Sequence, residues 1–347
     1  MDTPHRKAFA TNISSDVFIR YKKLSKRTGK KLSRMTDEAI QDFLAKYEEK
    51  GGSIVNSTEE KTEKTPHVIC ITNNKGGVGK TTTTSALAYL FAKKGHKKVL
   101  LIDADAQMNL TAIMVRRDTD GNPVIDRKKN IKNALVDSIQ NFPIPIEALI
   151  EETKYKDIDF IAGDEIINKE KMLAEIRQAR LDTGLNAWVG IIEKIKELNR
   201  YDIILVDTHP STSTETLLPM QACNEVLVPM EASESSIIGL QQVYKNIKMS
   251  RRVKPSLKFL GAFFNKVKSQ TSSAKEYIPS VRRNIPEYIK SENGGISDGR
   301  IFNAVIRDSE DARKAENFHS SVTERYGSKK ISKDFEKLYD EVTALYE

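Results

Sequence analysis

From His67 onward, short apolar runs alternate with amphipathic stretches. The runs fall at 68–72, 98–102, 158–162, 202–207, 225–229 and 258–264. Continuous apolar runs of this length predict strands buried on both faces, and the stretches between them carry helical spacing. Strands alternating with helices predict an α/β fold, a mostly parallel sheet flanked by helices on both faces. The first 48 residues follow a different pattern. Phe9-Ala10-Thr11-Asn12-Ile13 alternates as a short strand does, and Ser14-Ser15-Asp16 offers a helix N-cap. Val17, Tyr21 and Leu24 form a helical stripe that stops at Thr28-Gly29. Leu32, Met35, Ala39, Ile40, Phe43 and Leu44 form a second stripe. Residues 49–66 are rich in Gly, Ser, Thr, Glu and Lys and predict a flexible linker. The expected organisation is a small β-α-α module at 1–48, a linker at 49–66 and one large domain at 67–347. Residues 268–300 mix Lys, Arg, Ser and Gly with two prolines and predict no clear element. Phe335, Leu338, Val342 and Leu345 make a last stripe, acidic on its flanks. It is expected to pack on the domain core, and no membrane contact is expected.

The most telling chemistry directly follows the first predicted strand. Lys75-Gly76-Gly77-Val78-Gly79-Lys80-Thr81-Thr82 is a glycine loop entering a helix. Strand, glycine loop and helix in this order make a phosphate cradle, with backbone N–H groups pointing inward at the anion. The glycines let the backbone curl close to phosphate. Lys80 is placed to reach the β- and γ-phosphates of ATP, and the Thr81 hydroxyl to hold Mg²⁺. Asn74 stands where glycine is usual, and a second lysine, Lys75, begins the loop. One lysine serves the cradle, so Lys75 calls for a separate explanation.

Three further strand ends carry polar groups: Asp103 and Asp105 with Gln107, then Asp207 after Ile203-Ile204-Leu205-Val206, then Asn265. In an open parallel sheet the strand C-termini face one crevice, so these residues converge there. Carboxylates in that place can hold Mg²⁺ through water and orient an attacking water. Net charge is +8, which suits a soluble protein that meets a polyanion. Two cysteines and five histidines without ligand spacing predict neither a disulfide framework nor a metal-sulfur centre, with Cys70 a small core residue. Residues 1–30 are polar and basic, unlike a signal peptide, and no apolar run approaches a bilayer span. A cytoplasmic location is expected.

Lys75–Thr82, Asp103-x-Asp105-x-Gln107 and Asp207-Thr208-x-Pro210-Ser211 together resemble the deviant-Walker ParA/MinD ATPases, and ParA-type plasmid-partition proteins most of all. The resemblance covers roughly residues 66–347. It implies an ATPase that sandwiches two ATP molecules in a homodimer. Lys75 would cross into the partner subunit and touch its γ-phosphate. Gly76, Gly77, Val78, Gly79, Lys80, Thr81 and Thr82 would hold the nucleotide, and Asn265 would contact adenine. Asp105 would position the attacking water, and Asp207 would support Mg²⁺ through water, with Asp103 a further candidate ligand. Asp103 serves equally well as a helix cap or a supporting partner, and Asn265 as a turn residue. Two departures bear on fine geometry. Ala106 stands where proline is frequent, and His209 lies between Thr208 and Pro210, where a small residue or proline is common. His209 is expected to be a surface or supporting residue.

The first 48 residues resemble a ribbon-helix-helix DNA-binding domain, which folds as an intertwined dimer and inserts a two-stranded ribbon in the major groove. That resemblance turns Phe9, Thr11 and Ile13 into the dimer core. Ala8, Ala10 and Asn12 would face the bases beside Lys7, with the Asn12 amide suited to adenine. Lys31 to Arg34 would meet phosphate at the start of the second helix. The charge of about +6 over residues 1–47 agrees with DNA. Basic clusters at Arg251, Arg252, Lys254 and Lys258, and at Lys266, Lys268, Arg282 and Arg283, suit nonspecific DNA contact. The expected function is DNA partition, with slow hydrolysis stimulated by a centromere-binding adaptor protein. The alternative is an ATP-sensing transcriptional or replication regulator. The acidic C-terminus argues against a membrane-binding MinD-type protein. The cysteine count argues against an iron-sulfur relative.

Overall fold

The computed structural model describes residues 15–31, 34–36, 38, 39, 42, 46, 65–140, 142, 143, 145–164, 181–210, 214–268, 272–292 and 299–347. The strand expected at Phe9–Ile13, the base-facing candidates Lys7, Ala8, Ala10 and Asn12, and most of the linker lie outside them. The chain divides into two compact units, Met1–Thr62 and Glu63–Glu347.

In the first unit a helix spans Ser15–Thr28 and stops at Gly29, whose φ of +69° suits a residue without Cβ. Residues 34–36, 38, 39, 42 and 46 are also helical. Met35 is buried, and Tyr21 Oη donates to Thr36 Oγ1 at 3.4 Å. Leu24 remains 47% exposed, so the apolar stripe of the first helix is not closed among the described residues. Lys31 is exposed, and Arg34 pairs with Glu38 at 3.3 Å.

The second unit is built on a sheet. In chain order the strands are β1 His67–Ile71, β2 Val99–Ala104, β3 Arg116–Arg117, β4 Pro123–Val124, β5 Glu151–Glu152, β6 Ile158–Ile161, β7 Ile203–Thr208, β8 Glu225–Met230, β9 Lys258–Val267 and β10 Ile301–Arg307. Eight of them form one sheet in the order β10-β9-β8-β1-β7-β2-β6-β5. Every pairing in it is parallel except β5 with β6. β3 and β4 make a separate antiparallel pair. The six predicted strands are all present, to within three residues at either end.

Successive side chains of a strand point to opposite faces, and here both faces are buried. Val68 and Cys70 of β1, Leu100 and Ile102 of β2, and Ile204 and Val206 of β7 face one core, which also holds Trp188 and Cys223. Ile69 and Ile71, Val99 and Leu101, and Ile203 and Leu205 face the other, with Phe91 and Phe335. That explains why these strands read as unbroken apolar runs.

β1 lies between β7 and β8, while the chain leaves β1 for β2, one strand further out. Loops from neighbouring strands therefore diverge at the C-terminal ends of β1 and β7 and leave a crevice. Register then aligns the chemistry: Ile71 pairs with Asp207, and Asp103 pairs with Asp207.

The unreadable stretch 268–300 contains a helix, Ser272–Glu292. Pro279 and Pro286 lie inside it, and proline ordinarily interrupts a helix. Ala274, Val281 and Ile285 are buried along it, so tertiary packing overrides the local signal. The stripe at 335–345 belongs to the helix Lys330–Thr343. Phe335, Leu338 and Val342 are buried against Phe91 and Phe302, as expected of core packing. The same helix protects the edge strand β10. Glu341 accepts the N–H groups of Asn303 and Ala304, each at 2.7 Å. Asp334 accepts two bonds from the Arg307 guanidinium, at 2.5 and 2.8 Å. An edge strand so covered offers few donors to another sheet.

Leu338 has no exposed surface. Leu338→Ala should lower unfolding stability by about 2–5 kcal/mol, seen as an earlier urea midpoint with an unchanged slope.

Candidate active site

The loop after β1 enters the helix Lys80–Lys93. Gly77 and Gly79 hold φ of +74° and +85°, a region costly for residues with a Cβ. At Gly79 a Cβ would also sit 2.3 Å from Asn265 Nδ2. The bend brings the loop over the sheet end, and a cleft of 520 Å³ opens there. Gly77, Gly79, Lys80, Thr81, Thr82 and Asp105 line it.

Lys80 is buried, and its ammonium reaches the carbonyl oxygens of Asn73 and Lys75 only at 3.4 and 3.5 Å. Burial lowers its pKa, opposed by the charges of Asp207 and Asp105. The Asn74 side-chain amide is a buried donor without an acceptor among the described residues. Two poorly satisfied donors at one loop fit an anionic oxygen.

Thr81 Oγ1 donates to Asp207 Oδ2 at 2.7 Å, and Thr84 Oγ1 lies 3.3 Å from Asp207 Oδ1. Burial pushes the Asp207 carboxyl up to about 8; the Asp103 charge adds to this, and the Thr81 hydroxyl and Lys80 oppose it. Burial also lifts Asp103 to about 6, against hydrogen bonds from Thr111. Asp207 and Asp105 act on one buried lysine, and the Asp103 charge adds to theirs at Asp207, so the site is short of positive charge. A divalent cation would supply that charge and reverse the shifts. No group of three or more acidic, histidine or cysteine side chains forms a ready metal cage among the described residues. Mg²⁺ needs none, since it is commonly held by one or two protein groups, waters and substrate phosphates. Thr81, and Asp207 through water, fit that mode.

Asp103 does not line the cleft. Its Oδ2 accepts the Thr111 N–H and hydroxyl, both at 2.8 Å, and its Oδ1 accepts the Asp105 N–H at 3.1 Å. It ties the end of β2 to the helix Asn109–Met114. Asp105 does reach the cleft. Its Oδ1 accepts the Gln107 N–H at 3.0 Å and lies 2.9 Å from His209 Nδ1. Asn265 is buried beneath the loop, where its amide donates to the Val78 carbonyl at 2.9 Å and accepts the Lys266 N–H. Gly76 packs beside Pro210, and Val78 is fully buried.

Lys75 stands apart from the cradle. Its ammonium lies 2.5 Å from Glu231 Oε2, just beyond β8, with the lysine side chain 40% exposed. Glu231 carries no local sequence signal, because it meets Lys75 only through sheet order, whereas Thr111 reaches Asp103 from the helix that directly follows β2. Glu316 and His319, from the C-terminal region, also line the cleft, and no motif in the sequence points to them. Thr82 bonds to Glu316. Of the basic clusters, Arg251 and Lys254 donate to the carbonyls of Leu257 and Ala222, and Arg282 to that of Asn303. Arg252, Lys258 and Arg283 are exposed. No helix among the described residues is long and apolar enough to cross a membrane.

Comparison with known proteins agrees with this geometry. A family model described as an AAA domain, AAA_31, matches residues 66–259. The chromosome partitioning protein ParA of Myxococcus xanthus is 27% identical over 252 residues, covering 69% of this chain and 80% of that protein. The sporulation initiation inhibitor protein Soj of Bacillus subtilis is 29% identical over 223 residues, covering 62% and 79%. Among solved structures, the ATP complex of a Cyanothece McdA variant superposes with a TM-score of 0.62 at 21% identity, covering 80% of this chain and 97% of that one. A putative plasmid partition protein from Borrelia burgdorferi bound to AMPPNP gives 0.59 at 19% identity, covering 81% and 100%. At such identities the structural likeness concerns the fold. The chain belongs to the AAA_31 family and is a P-loop ATPase of the ParA/MinD type, similar in sequence to chromosome partitioning proteins.

Gly79→Ala should strain the loop by about 1–3 kcal/mol. The expected result is a loss of about tenfold or more in affinity for a fluorescent ATP analogue, with an unchanged circular dichroism spectrum.

Proposed function

We propose that this chain is a DNA partition ATPase of a plasmid or other mobile element. It binds ATP·Mg²⁺, closes into a sandwich homodimer that holds DNA nonspecifically, and lets go on slow hydrolysis. The observation that carries this reading is the position of Lys75. Lys80 already occupies the cradle, whereas Lys75 sits half-exposed on Glu231 of its own chain. An exposed ion pair contributes little, so exchanging Glu231 for a phosphate across a dimer interface costs little. Lys75 then acts on the partner's γ-phosphate much as an arginine finger does.

Within one subunit the loop N–H groups and Lys80 cradle the phosphates, and Thr81 with Asp207 holds the metal water shell. When bound there, Mg²⁺ would supply charge neutralisation to the phosphates. Asp105 orients the attacking water, and Asn265 is the candidate contact to adenine. Exposed Arg252, Lys258, Lys266, Lys268 and Arg283 are the candidates for nonspecific phosphate contact. The N-terminal module adds site-specific binding as a ribbon-helix-helix dimer, with Lys7, Ala8, Ala10 and Asn12 toward the bases and Lys31 and Arg34 near phosphate. The exposed Leu24 is consistent with a module that completes its core in a second copy. A centromere-binding adaptor protein stimulates turnover, and the chain works on the nucleoid in the cytoplasm.

Mass by light scattering, with ADP and with ATP·Mg²⁺, tests the switch. Protein lacking residues 1–50 should be monomeric with ADP and dimeric with ATP. Lys80→Ala should not bind ATP. Lys75→Ala should bind ATP, stay monomeric, and lose about 10³-fold in hydrolysis, the scale of a finger residue. A truncated wild type that binds ATP yet stays monomeric would favour an ATP-sensing regulator without a partition role.

A further inference from the structure

We propose that His209 is a positioning residue for hydrolysis, holding Asp105 in the orientation that presents its free oxygen to the attacking water. This rests on the role of Asp105 proposed above and extends it to the residue that contacts its side chain.

β2 and β7 are paired neighbours, with Ala104 opposite Thr208. Asp105 and His209 are the next residue on each strand and leave the sheet side by side. Parallel register therefore places a carboxylate and an imidazole at one level of the crevice. His209 Nδ1 lies 2.9 Å from Asp105 Oδ1, with side-chain exposures of 27% and 8%. Only a protonated Nδ1 can approach a carboxylate oxygen this closely, so the ring donates. The Gln107 N–H reaches the same Oδ1 at 3.0 Å. Oδ1 thus takes two donors, while Oδ2 has none among the described residues. Asp105 lines the cleft, so the oxygen left open is the one a water can use.

Asp105 follows the end of its strand, with Ala106 in the next position. The Asp103 side chain holds the Asp105 backbone N–H at 3.1 Å, which fixes the main chain there. His209 fixes the side chain above it. A carboxylate free to rotate would present its acceptor in the reactive direction only part of the time, and orientation is a large part of catalysis in such reactions. A bond to a charged acceptor is strong enough to select one rotamer. A small residue at this position offers no such donor, so here the imidazole performs a task that the main chain or water must perform without it.

The test is steady-state hydrolysis by the full-length protein over a range of ATP at fixed Mg²⁺, with dimer mass measured in parallel. His209→Ala should lower kcat about tenfold, equivalent to about 1.4 kcal/mol, with KM and ATP-dependent dimer mass within about twofold of wild type. His209→Asn, whose amide nitrogen falls near the position of Nδ1, should restore most of kcat. His209→Gln, which keeps bulk but offsets the donor, should remain low. In an Asp105→Ala background, His209→Ala should have no further effect. An unchanged kcat in His209→Ala, or a change confined to KM, would overturn the proposal. So would a loss that Asn fails to rescue, or a further loss on top of Asp105→Ala. If Asp105→Ala itself turns over normally, the water-orienting role of Asp105 is what fails, a result distinguishable from failure at His209.

Discussion

Three carboxylates, Asp103, Asp105 and Asp207, are buried at one end of the sheet with one buried ammonium, Lys80, among them. The architecture around the cleft answers that concentration of charge. Buried charges are tolerated only when hydrogen-bonded or paired, and each of the three is met differently. Asp103 is bound by Thr111 and the Asp105 backbone. Asp207 is held by two threonines of the loop helix and sits behind the cleft. Asp105 keeps one oxygen tied and one open toward it. One chemical type thus sits in three different environments, separated by which neighbours the fold supplies.

The sheet makes this possible because its strands are buried on both faces and cannot shift. Sliding β7 by one residue against β1 would reverse its faces and move Asp207 away from the loop. The apolar cores on both sides therefore fix the chemistry at the strand ends. The helix Lys330–Thr343 contributes from a distance, since it buries Phe335 and Leu338 on one face and closes β10 with Glu341 and Asp334. The C-terminal region also places Glu316 and His319 at the cleft. The last part of the chain thus helps to form a site whose motifs lie near the beginning of the domain.

Most of the fold is legible in the sequence. Apolar runs mark six strands, and the glycine loop marks the cradle, because both are local consequences of burial and of φ angles that need glycine. What escapes is non-local. The helix Ser272–Glu292 is hidden by Pro279 and Pro286, whose local cost is outweighed by burying Ala274, Val281 and Ile285. β10 escapes the pattern of apolar runs because its burial alternates, with Phe302, Ala304 and Ile306 inside and Asn303 and Arg307 outside. Sequence leaves Asp103 open between ligand and supporting partner, and its hydrogen bonds show the supporting contacts that it makes.

The sequence alone determined that a strand, a glycine loop and a helix follow one another, that Lys80 and Thr81 open that helix, and that carboxylates end the neighbouring strands. These follow from steric and electrostatic rules acting within a few residues. Only the tertiary structure decided which carboxylate faces the cleft, that Lys75 rests on Glu231, and that His209 meets Asp105. Those partners are 156 and 104 residues apart in the chain. They meet because β1 lies beside β8 and β2 beside β7, an order set by how the two cores pack and not by any local signal.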